Sequence, residues 1–188
     1  MLNVEQLGKL LNNQANLDNN MQEKFDISSN EWLGAYNDHH MIALRIEIHE
    51  FLNNTYKSWK YWKMKKETRN NIIGEAVDVI HFICLIINKE NIDTSKLYLD
   101  MGNAAAEVSA KYKHYINNGE YTQHANAIIL DLSELRASDK PTVYSYAITV
   151  FGYMLVILKE IYGFTNDDIM QAYAEKNMEN YERLKNDY

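Results

Sequence analysis

The stretch Ile72-Ile73-Gly74-Glu75-Ala76-Val77-Asp78-Val79-Ile80-His81-Phe82-Ile83-Cys84-Leu85-Ile86-Ile87 decides the fold. Wound at about 100° per residue, it is apolar nearly all round apart from Gly74, and its polar side chains, Glu75, Asp78 and His81, share one face. A helix apolar on every side is a buried one, so this segment is expected to be the central helix of a bundle. An isolated buried carboxylate costs several kcal/mol unless it is protonated, ion-paired or bound to a cation. Something must therefore meet Glu75 and Asp78.

Outward from this helix the chain keeps the same period. With 7 Gly and 1 Pro in 188 residues there is little strand-and-turn punctuation, and apolar residues recur at 3 and 4, which reads as all-α, a helical bundle with a central four-helix metal-binding core. Val4, Leu7, Leu10, Leu11, Leu17 and Met21 mark a first helix, and Ser28 with Glu31 forms a capping-box signal that opens a second element. Met41, Leu44, Ile48 and Phe51 form a stripe on a helix over roughly 38–54. Thr68 suits the cap of the central helix, which runs to about Glu90. Residues 97–116 and 125–135 read as helices, set off by Asp93-Thr94-Ser95 and Asn117-Asn118-Gly119. Pro141 suits the first turn of the next helix, which reaches Tyr162 and stops at Gly163 in a left-handed cap. Thr165 with Asp168 opens the last. No linker or repeat divides the chain, so 1–188 reads as a single domain.

Composition narrows the function. A formal charge of −7, from 19 basic and 26 acidic residues, argues against a broad nucleic-acid footprint. The lone Cys84 excludes an intrachain disulfide and any multi-cysteine zinc site. The first residues lack a signal-peptide pattern, and the most apolar run, Val79 to Ile87, is short for a bilayer and contains His81. The expectation is a soluble, cytoplasmic protein with neither membrane nor nucleic-acid partner.

The helix before the central one supplies a second acidic pair, Glu47 and Glu50. If the two helices pack antiparallel, Glu47, Glu50, Glu75 and Asp78 converge. An all-oxygen set favours a hard dication, and Mg²⁺ completes its octahedron with waters or phosphate, so the implied substrate is a polyphosphate. The plain alternatives are a solvated acidic face for Glu47 and Glu50, lysine salt bridges for Glu75 and Asp78, and a hydrogen-bonded core role for His81. Between the acidic pairs, Tyr56-Lys57-Ser58-Trp59-Lys60-Tyr61-Trp62-Lys63-Met64-Lys65-Lys66 interleaves lysines with aromatics and holds no acid. Such a segment can neutralise a phosphate chain, stack on a base, cover a patch on RNA or membrane, or be a solvated turn. Near the end, Tyr173, Lys176, Asn180 and Arg183 share a narrow helix face that can grip phosphate oxygens, although a plain surface helix bearing Glu175, Glu179 and Glu182 looks similar.

Taken together these pieces resemble the dimeric all-α dUTPases of the MazG-like nucleotide pyrophosphohydrolase superfamily. Glu47-Ile48-His49-Glu50 resembles that family's E-x-x-E, Trp59-Lys60-Tyr61-Trp62-Lys63 its W-K-x-W-K, and Glu75 to Phe82 its E-x-x-D-x-x-H-F. Tyr173, Lys176, Asn177, Asn180, Arg183 and Tyr188 fit its Y-x-x-K-N-x-x-N-x-x-R-Q-x-x-G-Y, with Leu184 in place of Gln and Asp187 in place of Gly. Gln14, Leu17 and Asp18 match its Q-x-x-L-[DN] more loosely. The resemblance implies a homodimer that hydrolyses dUTP, and often dUDP, to dUMP. It implies Mg²⁺, two or more ions per site, on the catalytic carboxylates Glu47, Glu50, Glu75 and Asp78, with Glu50 the choice for a water-activating base. Lys176 and Arg183, with Lys63 and Tyr188, would offset phosphate charge, and Asn180 would bond an oxygen or the sugar. For the deoxyuridine nucleotide's base and sugar the candidates are Gln14, Asp18 and His81, with Trp32 or Trp62 stacking. Three alternatives remain at this point. The same site could act on dCTP or a broader set of nucleotides. The chain could be a non-enzymatic helical interaction module. And Asp78-x-x-His81 resembles half of a di-iron site, which normally needs two such motifs.

Overall fold

The computed structural model describes residues 2–35, 37–60, 62, 68–117 and 121–186. Its helices are α1 (Val4–Lys24), α2 (Asn37–Asn54), α3 (Tyr56–Trp59), α4 (Arg69–Lys89), α5 (Thr94–Asn117), α6 (Tyr121–Glu134), α7 (Val143–Val156) and α8 (Asn166–Lys185). Two π-helical turns, Glu31–Ala35 and Ile157–Ile161, and a tight turn at Ala137–Asp139 complete the order. Among the described residues there is no strand, as the apolar period requires.

α4 is the central helix. Ile72, Ala76, Val79, Ile80, Ile83 and Ile86 are almost wholly buried, because α1, α2, α7 and α8 all pack around it. α1 offers Leu7 and Leu10 and α2 offers Leu44, Ile48 and Phe51, the stripes their sequences spelled out, while α8 adds Ile169 and Tyr173. On the far side α5 lies against α7, and there Gly152 matters. A Cβ at that position would sit 2.8 Å from the carbonyl carbon of Ala104, so the two helices approach as closely as they do only because one lacks a side chain.

The helix ends follow local hydrogen bonding. Thr68 caps α4 by accepting from the Asn71 N–H, and Thr165 with Asp168 closes a capping box on α8. Gly163 has φ +68°, the left-handed geometry expected of it. Several boundaries differ from expectation. The Ser28–Glu31 box forms, but it opens the π-helical turn Glu31–Ala35, and α2 begins only at Asn37. Pro141 stands outside α7, because Thr142 is the cap: its hydroxyl accepts from the Ser145 N–H and Ser145 reciprocates. α5 likewise starts earlier, at Thr94, where the Asp93 carboxylate accepts from the Ser95 and Lys96 N–H groups.

By length and composition α4 and the stretch Val143–Ile161 would pass for membrane spans, yet 61% and 67% of their apolar windows is buried inside the bundle. They are core helices.

Candidate functional site

Glu47 meets Glu75 and Asp78 while His40 meets Lys89, so α2 and α4 run antiparallel and the two acidic faces oppose each other. One carboxylate oxygen from each of Glu47, Glu75 and Asp78 lies within 4.8 Å of the others. Against these stands Lys176 of α8, whose Nζ is 2.8 Å from Asp78 Oδ2 and 3.7 Å from Glu179 Oε2. One ammonium does not balance three partly buried acids. Burial, and then the charges of Asp78, Glu50 and Glu75, push Glu47 up to about 7. Burial followed by Asp78 and Glu50 raises Glu75. Burial also raises Asp78, even though Lys176 hydrogen-bonds to it. For Lys176 itself burial works downward, but the bond to Asp78 and that carboxylate's charge keep its ammonium above the ordinary lysine range.

The fourth acid of the expected quartet stands slightly apart. Glu50 is exposed and outside the close trio, since three residues beyond Glu47 it is turned about 60° round α2. It still lines the same cavity, and its charge still bears on Glu47 and Glu75.

The cavity, about 480 Å³, runs between α1, α2, α4 and α8 from the acidic trio toward Trp32 and His40. Lys176, Asn180 and Arg183 line it, as their spacing on α8 suggests, with Arg183 ion-paired to Glu179. Tyr173 departs from that row. The part of α8 that carries it is packed into the core, so its ring is fully buried and stacked on His81 with centroids 4.0 Å apart. Its hydroxyl donates to Leu10 O at 3.2 Å and to Gln14 Oε1 at 3.3 Å.

Gln14, Asp18 and His81 are all buried and all line the cavity. Gln14 Nε2 donates to Asp18 Oδ1 at 2.7 Å, and Gln14 Oε1 lies 2.7 Å from His81 Nδ1. Because that oxygen accepts, Nδ1 carries the His81 proton and Nε2 is left as an acceptor. His81 Nε2 is buried without a hydrogen-bond partner. Burial, then the charge of Lys176, holds His81 down to about 3, so the ring is neutral. Burial pushes Asp18 up to about 7 against the Gln14 bond and the charge of Lys89. His81 thus satisfies the plain core-histidine reading on one nitrogen and leaves the other open.

The aromatic wall is Trp32, buried against His40 with ring centroids 4.5 Å apart. Trp62 does not reach this cavity. It is 63% exposed and follows the C-terminal end of α2, whereas the cavity runs toward the N-terminal end. Lys63 and Tyr188 lie outside the described residues, as do Tyr61 and Lys65 and Lys66 of the basic segment. In the described part of that segment, Lys60 Nζ lies 3.9 Å from the Trp59 ring centre and donates to Asn53. His40 and Lys89 escaped the motif reading. Their Nδ1 and Nζ are 2.6 Å apart, and the signal that would have found His40 is its position seven residues before Glu47, on the same face of α2.

Fold and cavity together define an all-α protein with an acidic cluster that could hold a metal ion. A family model described as dUTPase matches residues 6–188, and the chain belongs to this all-α dUTPase family. It is accordingly a hydrolase of nucleotide metabolism with dUTP diphosphatase activity. No curated protein and no solved structure matched the chain.

Proposed function

We propose that residues 1–188 form one domain of a cytoplasmic homodimer that converts dUTP, and dUDP, to dUMP with Mg²⁺. The observation that carries this reading is the trio Glu47, Glu75 and Asp78, oxygens within 4.8 Å and carboxyl groups raised chiefly by burial, in one cavity with Lys176 and Arg183. The donor set fits the group. Among the described residues the potential ligand atoms that converge are carboxylate oxygens, with Glu50 at the rim, and two or more Mg²⁺ ions would offset the charge that Lys176 leaves unbalanced. The di-iron reading has less support, since His81 spends Nδ1 on Gln14 and lies outside the trio.

Glu47, Glu75 and Asp78, with Glu50 at the rim, would hold Mg²⁺, which when bound would polarise phosphate oxygens and lower the pKa of an attacking water. The chain's own residues bind and orient. Lys176, held by Asp78, and Arg183, held by Glu179, carry their charges at the edge of the acidic trio, where a phosphate chain would exchange them from carboxylate to phosphate oxygen. Asn180 adds an amide donor, and Lys63 and Tyr188 are kept as phosphate contacts on the resemblance of their motifs. Farther along the cavity, Asp18 and the open Nε2 of His81 are acceptors suited to uracil N3–H, and Gln14 fixes both. Trp32 and Phe82 supply apolar walls that keep water from the base.

The test is turnover of dUTP, dUDP, dCTP and dTTP with Mg²⁺, with and without chelator, analysing the phosphate products. Conversion of dUTP to dUMP that chelator stops is expected. Preference for dCTP would replace the uracil assignment, and wild-type turnover in folded Glu75→Ala and Asp78→Ala would remove the carboxylate one.

A further inference from the structure

We propose that His40 is a specificity-determining residue, held by Lys89 as an Nε2–H donor that reads a carbonyl oxygen of the pyrimidine base at the end of the cavity remote from the carboxylates. The inference rests on the nucleotide reading given above and adds a residue that none of the quoted motifs contains.

Position comes first. His40 precedes Glu47 by seven residues, two helical turns on one face of α2, so the two side chains leave the helix about 10 Å apart along its axis. α4, running the other way, repeats the offset from Asp78 to Leu85, which also lines the cavity. A nucleotide with its phosphates at the acidic trio and its sugar between the helices brings its base to this level. Trp32 is already there as a flat wall, its ring tilted against His40 and 5.9 Å from the Lys89 ammonium.

Chemistry then sets the polarity of the ring. Lys89 Nζ is 2.6 Å from His40 Nδ1. An ammonium has protons and no lone pair, so Lys89 donates and Nδ1 accepts. The ring's one proton is therefore on Nε2, which is the hydrogen-bonding group left for the cavity. Burial, then the neighbouring charges of Lys89 and His39, push His40 down to about 4, so it does not become a second donor near neutral pH. Uracil carries a carbonyl oxygen where cytosine carries an amino group, and a fixed N–H donor matches the first and opposes the second.

The experiment needs no turnover. Calorimetry measures dUMP and dCMP binding to wild type and to His40→Phe, which keeps a flat ring and removes the donor, with circular dichroism confirming the fold. The dUMP-over-dCMP affinity ratio is expected to fall about tenfold, the loss typical of one buried hydrogen bond. Lys89→Met, which frees the tautomer, should lower the ratio by less, and Lys89→Arg, which can still donate, should restore it. Nitrogen-15 NMR of the ligand-free protein is expected to show the His40 proton on Nε2. A proton on Nδ1, or a ratio that ignores His40→Phe, overturns the assignment while dUMP still binds. If the wild type binds neither nucleotide, the nucleotide reading and this assignment fall together.

Discussion

Asp131 and Asp78 are both partly buried aspartates in one bundle, with side chains 29% and 18% exposed, and they are treated in opposite ways. Around Asp131, Lys111 and the hydroxyls of Tyr112 and Tyr153 all donate to the carboxylate. Burial alone would raise that carboxyl, but the three donors outweigh it and leave Asp131 below the usual carboxylate range. Asp100, held by Lys96 and Tyr144, repeats the arrangement elsewhere on α5. Asp78 instead lies beside Glu47 and Glu75, and there burial outweighs the Lys176 hydrogen bond and leaves the carboxyl above the usual range. An acid saturated by donors from its own chain is holding helices together. An acid whose burial its own fold does not offset suits the ligand role proposed above, with lost stability as its cost.

The sharpest way to break this comparison is to delete one acid from each region. Glu75→Ala or Asp78→Ala should lower kcat/KM for dUTP by about a thousandfold, roughly 4 kcal/mol of barrier; in Glu75→Ala the metal-free melting temperature should hold or rise because like charges are relieved, whereas Asp78→Ala also strips Lys176 of its acceptor. Asp131→Ala should do the reverse. It leaves two buried phenols and a lysine without their acceptor, which costs about 3 kcal/mol in denaturant titration, while turnover per folded molecule stays within about twofold. Loss of turnover in folded Asp131→Ala would end the division of the bundle into a structural and a ligand-binding half.

A second contrast separates the regions by pH. Glu47 titrates near 7 in the folded chain and near the ordinary glutamate value of 4.5 in the unfolded one. Between those values the folded protein holds a proton that the unfolded chain has released, so this stabilisation is complete below the lower value and is lost as pH rises through about 7. Without metal, the melting temperature should therefore fall from pH 5 to pH 8, and Glu47→Gln should flatten that slope. Added Mg²⁺ should raise the melting temperature at pH 8 and do little at pH 5, where protons occupy the carboxylates. An equal metal shift at both values would mean that binding occurs away from the trio.

How much of this was legible in the chain depends on what each feature requires. Glu75 and Asp78 declared themselves because a wheel needs only local geometry, and α4 had no polar face to lose them on. Glu47 followed from the same spacing on α2. Tyr173 read as a phosphate-facing residue because a wheel shows which residues share a face, not where along a helix that face passes from cavity to core. Trp32, His40 and Lys89 were invisible as a group because they come from a π-helical turn, the start of α2 and the end of α4. Only the antiparallel pairing of α2 and α4 joins them, and pairing is a tertiary fact. Pro141 and Thr142 competed for one helix start, and a hydroxyl able to accept from the first turn prevailed over a ring that only presets φ.

The smallest effect lies farther along the cavity and tests whether its stored cost extends beyond the acidic trio. Asp18 is 4% exposed, its carboxyl is pushed up to about 7 by burial, and its firmest bond is to the Gln14 amide. Since the unfolded value is 3.8, the folded chain holds the extra proton between the two, and the stability this lends is full at low pH and gone above about 7. Asp18→Asn keeps the shape and the acceptor for Gln14 but has no charge to desolvate. It should gain about 1 to 2 kcal/mol at pH 8, read from urea titration, less at pH 5 and nothing below about pH 4. The same variant loses a carboxylate acceptor for uracil N3–H, so its dUMP affinity should drop at pH 8 while its stability rises. If stability and affinity instead fall together at pH 8, Asp18 belongs with Asp131, as a structural acid that happens to border the cavity.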